Sequence, residues 1–146
     1  MDKTLDEFVQ HLQKEIYQKV EEDYGEKAFK RWINPRYNGT IEDADGYASL
    51  KGRCGDRMEI FLKFNNECVI EASYRTDGCG SSNICGSFAA EMAIGKSPDE
   101  IIEITGEAIS RELGGLPSED KHCAFLAAET LQDALNDYMI KCRNGK

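Results

Sequence analysis

The sequence predicts an α+β fold: a three-stranded antiparallel sheet packed against helices, with an additional helix at the N-terminus. Three observations carry this. Between residues 47 and 75 apolar and polar residues alternate at the two-residue period of a strand. Before and after that stretch the apolar residues recur every three or four positions, the period of an amphipathic helix. The strands come as one run and most of the helices as another, which is the pattern of a sheet covered on one face.

Taken in order, Leu5, Phe8, Val9, Leu12, Ile16 and Val20 form one apolar stripe, with Glu, Gln and Lys opposite, and Gly25 interrupts it. Residues 1–25 are therefore expected to form a helical extension, and 26–146 the main domain. A short helix over about 26–33 ends where Asn34-Pro35 forbids continuation. Residues 34–46 read as a loop. The first strand spans about Tyr47 to Lys51. In the second, Met58, Ile60, Leu62 and Phe64 alternate with Arg57, Glu59 and Lys63, and Asn65-Asn66 turns the chain. In the third, Ile70, Ala72 and Tyr74 alternate with Glu71, Ser73 and Arg75. Then the period changes. Ser81 to Gly95 reads as a helix with Ile84, Phe88, Met92 and Ala93 on its apolar side. Ser97 caps the next helix and Pro98 takes its first position. Another helix over about 105–113 stops at Gly114-Gly115, and a last one runs from about 122 to 142 with Leu131, Leu135, Tyr138 and Cys142 as its stripe.

The formal net charge is −9. Phosphate contacts need a basic face, so nucleic acid is not an expected partner, and neither is an anionic membrane. No apolar run approaches the roughly 18 residues of a transmembrane helix. The opening MDKTLDEFVQHL has no apolar signal core and is too acidic for a transit peptide, so a cytoplasmic setting is expected.

Six cysteines occur, at 54, 68, 79, 85, 123 and 142, with no Cys-x-x-Cys pair. In a reducing compartment, metal binding or thiol chemistry is a better reading than disulfides. Three of them sit at element ends. Cys54 lies in GRCGD between the first two strands, Cys79 in DGCGS before a helix, and Cys123 in KHCAF where the last helix starts. A helix N-terminus favours thiolate at Cys79 and Cys123. Arg53, Arg57, Arg75 and Lys121 flank these segments, and Asp56 and His122 add an oxygen and a nitrogen donor. Such a set could hold zinc or an iron-sulfur cluster, or the cysteines could be unconnected residues in turns. Cys68, Cys85 and Cys142 read as packing residues, since Cys68 and Cys142 continue apolar faces and Cys85 turns away from Cys79 if both are helical. His11, among polar residues of the first helix, reads as solvated.

The motifs NPRYNG at 34–39, CGD at 54–56, DGCGSS at 77–82, GKSPDE at 95–100 and LPSEDKHC at 116–123 resemble, in order, those of the IscU-type iron-sulfur cluster assembly scaffold, the family that also supplies the N-terminal domain of NifU. The resemblance covers about residues 26–142. It implies an assembly site of Cys54, Asp56, Cys79, His122 and Cys123, with Cys123 as acceptor of persulfide sulfur from a cysteine desulfurase. Iron joins, an electron donor such as ferredoxin reduces the sulfur, and a [2Fe-2S] cluster forms and passes to apo-proteins. The protein would be a scaffold and not an enzyme. A carboxylate oxygen is a poor match for a sulfur-bridged iron centre, so three cysteines and one aspartate suit a site that must release its cargo. Zinc suits the same donors.

Two departures stand out. Relatives served by a dedicated Hsp70-type chaperone carry LPPVK before the His-Cys pair, whereas this chain has LPSED, with two carboxylates where an apolar peptide is gripped. That partner is accordingly not expected to bind well. The first helix is extra relative to the compact bacterial form. An alternative reading is a zinc-dependent sulfur acceptor of the SufU branch. Those proteins carry an insertion before the third cysteine and lack the adjacent histidine, whereas this chain has a short 79-to-123 interval and His122. A plain zinc-stabilised interaction domain is a third reading, one in which metal serves folding alone.

Overall fold

The computed structural model describes the chain apart from residues 1, 26, 27, 29, 32, 33, 54, 79, 115, 117–119, 145 and 146, and apart from the side chains of 2–4, 17, 20, 21, 23 and 24. Helix α1 (Asp2–Tyr24) precedes three strands, β1 (Gly46–Lys51), β2 (Arg57–Asn65) and β3 (Cys68–Thr76). Helices α2 (Gly80–Ala93), α3 (Pro98–Ile101), α4 (Gly106–Glu112) and α5 (Lys121–Asn144) follow. The strands form one antiparallel sheet in sequence order. This is the predicted architecture. Of the helix expected over 26–33, Ala28, Lys30 and Arg31 are described and helical, and the rest lies outside the described residues.

One face of the sheet carries the core. Ala48, Ile60 and Tyr74 lie opposite one another across the three strands, and Leu62 lies opposite Ala72. All are buried. Helix α5 lies across β1 and β2, and α2 lies mainly across β3. Burial of these apolar side chains, at about 25 cal/mol per Å², is the main stabilising term.

The β2–β3 hairpin differs from the alternation read in the sequence. Lys63 pairs with Glu71 but Phe64 pairs with Val69, so Ile70 is one extra residue on β3. A bulge of this kind reverses the facing of the residues beyond it. Val69 is therefore buried and Ile70 is 52% exposed, the opposite of the expected face for Ile70. Phe64, on the unbulged strand, keeps the face of Leu62 and stacks on Tyr138 of α5, ring centroids 3.7 Å apart. The turn itself is Asn66-Glu67, one residue later than expected, with φ of 55° and 67°. Both values belong to the mirror-type two-residue turn that fits the twist of a hairpin.

Helix α2 is more deeply buried than one apolar stripe implies. Ser82, Ile84, Cys85, Ser87, Phe88, Ala89 and Ala90 are all inside, because α2 is enclosed by β3 on one side and α5 on another. Its buried hydroxyls have partners. Ser87 Oγ donates to the Arg36 carbonyl at 2.6 Å and accepts from Arg31 Nη1 at 2.8 Å. Arg31 also pairs with Glu91 at 2.7 Å. The NPRYNG motif runs on from there along the outer edge of β3. Tyr74 N–H donates to the Tyr37 carbonyl, and Gly39 N–H donates to the Tyr74 carbonyl, each at 2.9 Å. The motif thus covers a sheet edge that would otherwise present unpaired backbone groups.

The shorter helices begin as the sequence indicates. The Glu100 carboxylate accepts from the Ser97 N–H at 3.0 Å, and Pro98 opens the helix. Thr105 Oγ1 accepts from the Ala108 N–H at 3.1 Å at the start of α4. Helix α1 keeps its predicted stripe, but that stripe is not laid on the core. Leu5 and Phe8 are each 63% exposed, and Val9, Leu12 and Ile16 are also exposed. No helix among the described residues is long and apolar enough to cross a membrane.

Candidate metal centre

Three chain segments meet where α2 and α5 begin. The first is the β1–β2 loop. Gly52 N–H donates to the Asp56 carbonyl at 2.7 Å, and Gly55 N–H donates to the Gly52 carbonyl at 3.1 Å. Gly55 has φ of +90°, a conformation that glycine adopts without the steric cost a side chain would bring. This closes the loop and delivers Asp56 to the head of β2. The second segment joins β3 to α2. Arg57 N–H donates to Asp77 Oδ1 at 2.8 Å, and Thr76 Oγ1 donates to the Arg57 carbonyl at 2.7 Å. These bonds strap the 76–78 segment beside Asp56. The third segment is the first turn of α5, which carries His122 and Cys123.

The side chains converge on one hydroxyl. Ser82 Oγ, in the first turn of α2, donates to Asp56 Oδ2 at 2.9 Å and lies 3.5 Å from Cys123 Sγ. His122 Nε2 lies 3.6 Å from the same sulfur. Ser82 is fully buried and Cys123 is 1% exposed. Gly78 completes the packing. A Cβ there would stand 2.7 Å from Ser82 Oγ and closer still to Asp56 Oδ2, so no side chain fits. His122 borders a hollow of about 310 Å³ shared with Lys51, Arg53, Phe125 and Glu129, which gives the site an opening to its surroundings.

Of the five residues expected in the site, Asp56, His122 and Cys123 are brought together, across 26 and 41 residues of sequence by way of Ser82. Cys54 and Cys79 lie outside the described residues, as does most of the LPSED stretch at 117–119. Among the described residues no group of three His, Cys, Asp or Glu side chains is close enough to hold a metal ion. Cys85 is buried in the core, as a packing residue would be. Cys68 and Cys142 are half-buried. Of the flanking cations, Arg53 shares the hollow with His122, and Lys121 borders a neighbouring one with Arg111 and Phe125. Arg57 and Arg75 line a hollow with Glu59, Thr76 and Asp77. Ser82 is the residue that sequence reading missed. No apolar stripe marks it, because α2 buries residues on nearly every side.

The NifU-like N terminal domain family model matches residues 23–144. Two Archaeoglobus fulgidus proteins, named iron-sulfur cluster assembly scaffold proteins IscU 1 and IscU 2, are each 41% identical over 124 residues, covering 84% of this chain and 80% of theirs. The Aquifex aeolicus protein named iron-sulfur cluster assembly scaffold protein IscU is 38% identical over 122 residues, or 82% of this chain and 78% of its own. The crystal structure of the N-terminal part of a NifU-like protein from Brucella abortus superposes with a TM-score of 0.66 at 17% identity, over 84% of this chain and 98% of that one, and so shares the fold. By motif order, fold and identity over most of its length, the chain belongs to the IscU/NifU N-terminal-type scaffold family.

Proposed function

We propose that this chain is a scaffold on which iron-sulfur clusters are built and from which they are passed to apo-proteins. The observation that supports this best is the convergence of Asp56, His122 and Cys123 around Ser82, from segments far apart in sequence. A carboxylate, an imidazole and a thiol gathered around one hydroxyl, though not within common reach of a single ion as they stand, supply a mixed set of donors. Such a set suits a borderline metal without gripping a sulfur-bridged cluster as four thiolates would. Cys54 and Cys79 complete the proposed site. The cargo is a [2Fe-2S] cluster, and zinc is the ion that would compete for the same donors.

In this reading Cys123 accepts sulfur. Its thiolate attacks the outer sulfur of a persulfide on a cysteine desulfurase. A new sulfur–sulfur bond forms as the old one breaks, and the desulfurase cysteine leaves as thiolate. The attacking thiolate forms beforehand, when His122, beside Cys123 Sγ, takes up the thiol proton. The bound sulfur is then reduced to sulfide by an electron donor such as ferredoxin, iron joins, and the cluster leaves for an acceptor protein. Asp56 is the ligand that lets go. Residues 26–146 form the scaffold unit and 1–25 an extension to it. The setting is the cytoplasm, and LPSED makes the dedicated Hsp70-type chaperone a poor partner.

Anaerobic reconstitution with iron, cysteine and a cysteine desulfurase, followed by visible absorption, tests the proposal. A sulfide-to-iron band that appears on incubation and fades as an apo-ferredoxin gains its own is the expected result. A protein that takes up only zinc and never develops the band would refute it.

A further inference from the structure

We propose that Ser82 is a positioning residue for the sulfur-accepting thiol, and that its hydroxyl latches Cys123 and Asp56 to each other in the metal-free protein. The inference rests on the reading of Cys123 as the working thiol. A sulfur acceptor has to meet a persulfide on another protein, yet Cys123 is 1% exposed. Something holds it inward. The Ser82 hydroxyl is placed to do so, 2.9 Å from Asp56 Oδ2 and 3.5 Å from Cys123 Sγ. A hydroxyl has one proton to donate and lone pairs to accept with. Given to the carboxylate, that proton makes the stronger, charge-assisted bond, and the oxygen remains an acceptor for the thiol. The result is a chain from Cys123 through Ser82 to Asp56 that crosses all three segments of the site.

The surroundings fit a latch rather than a loose contact. Ser82 is fully buried, so its hydroxyl has little freedom to turn toward solvent. Gly78 leaves no room for a side chain that could take the place of Ser82 Oγ beside Asp56. Metal binding to Asp56 or Cys123 would compete with this chain at either end, so filling the site and opening the latch are one event.

The test is the alkylation rate of metal-free protein with iodoacetamide at one fixed pH, read at each cysteine by peptide mass spectrometry. Cys85 lies on the same helix as Ser82 and is fully buried, so it reports general loosening. In Ser82→Ala, Cys123 should react about fivefold faster, the effect of losing one ordinary hydrogen bond, with Cys85 still protected. An unchanged Cys123 rate would overturn the proposal. Should Ser82→Ala expose Cys85 as well, Asp56→Asn decides, since it keeps Ser82 but weakens its charged acceptor. Faster Cys123 labelling with Cys85 protected then supports the latch, and any other pattern overturns it. Because no cluster is involved, a negative result leaves cluster assembly standing, and failed reconstitution leaves the latch standing.

Discussion

Cys123 and Cys142 ride on the same helix, α5, one in its first turn and the other in its last. The first is buried against Ser82 and beside His122, and through Ser82 it is joined to Asp56. Those partners come from three segments of the chain. The second is half-buried, and its described neighbour is Tyr138, one turn earlier on the same helix. Identical side chains on one helix therefore meet different fates, and the helix does not decide them. What separates them is that Cys123 is joined through Ser82 of α2 to Asp56 of the β1–β2 loop, whereas the neighbour named for Cys142 comes from its own helix.

The sharpest way to break this contrast is to remove each sulfur in turn. Cys123→Ser should abolish cluster formation, while Cys142→Ser should leave it at the level of the parent protein, both followed by absorption after anaerobic reconstitution. Equal losses would mean that the two ends of α5 are not different in kind. A smaller effect is expected at the carboxylate. Asp56→Ala leaves the thiols and His122 in place and removes the proposed oxygen ligand and one negative charge. The cluster should persist severalfold longer in air and transfer severalfold more slowly to an apo-ferredoxin. Unchanged lifetime and transfer would reduce Asp56 to a residue that closes a turn.

The contrast also marks what could be read from the sequence. The element types were legible because period two and period 3.6 are separable over strands and helices of this length. That Asp56, His122 and Cys123 lie near one another was legible from chemistry-bearing residues at element ends and from the family motifs. Ile70 was misread because a bulge is one added residue, and alternation carries no mark of it until register is known. Ser82 was missed because a serine near a helix start ordinarily faces water or caps the helix. Only the packing of α2 between β3 and α5 turns it inward. The stripe of α1 was legible as helix, but periodicity says nothing about whether anything covers it, and Leu5 and Phe8 are in fact exposed.

The C-terminal end of α5 can be perturbed on its own terms. The Phe64 ring stacks on Tyr138 at a 6° interplanar angle. Phe64→Leu should cost about 1 kcal/mol of folding stability in urea, the value of an aromatic pair beyond its area. Cluster assembly should be untouched, because the lesion sits at the far end of the helix from Cys123. A variant that lost assembly with so small a change in stability would couple the two ends and undo the contrast.

The smallest effect belongs to Tyr138 itself, and it appears only in alkali. The Cys142 sulfur, which accepts a hydrogen bond from the phenol, and the partial burial of the ring push the Tyr138 hydroxyl up to about 12. An unfolded tyrosine ionises near pH 10. Between those values the folded protein binds more of this proton than the unfolded chain does, so stability falls as pH rises. The contribution is fully present below about pH 10 and is lost as pH climbs through about 12. Tyr47 and Tyr74 are raised in the same direction, Tyr47 chiefly by its bond to Glu59 and Tyr74 chiefly by burial. The parent protein should therefore lose stability in alkali through several groups at once, and the informative quantity is a difference. Tyr138→Phe keeps the stack on Phe64 and removes the titrating proton, so its stability should fall less steeply with pH over that window. Urea unfolding of the two proteins side by side measures this. Equal slopes would show that the phenol and Cys142 do not interact, and that the C-terminal sulfur of α5 sits beside Tyr138 without a bond to it.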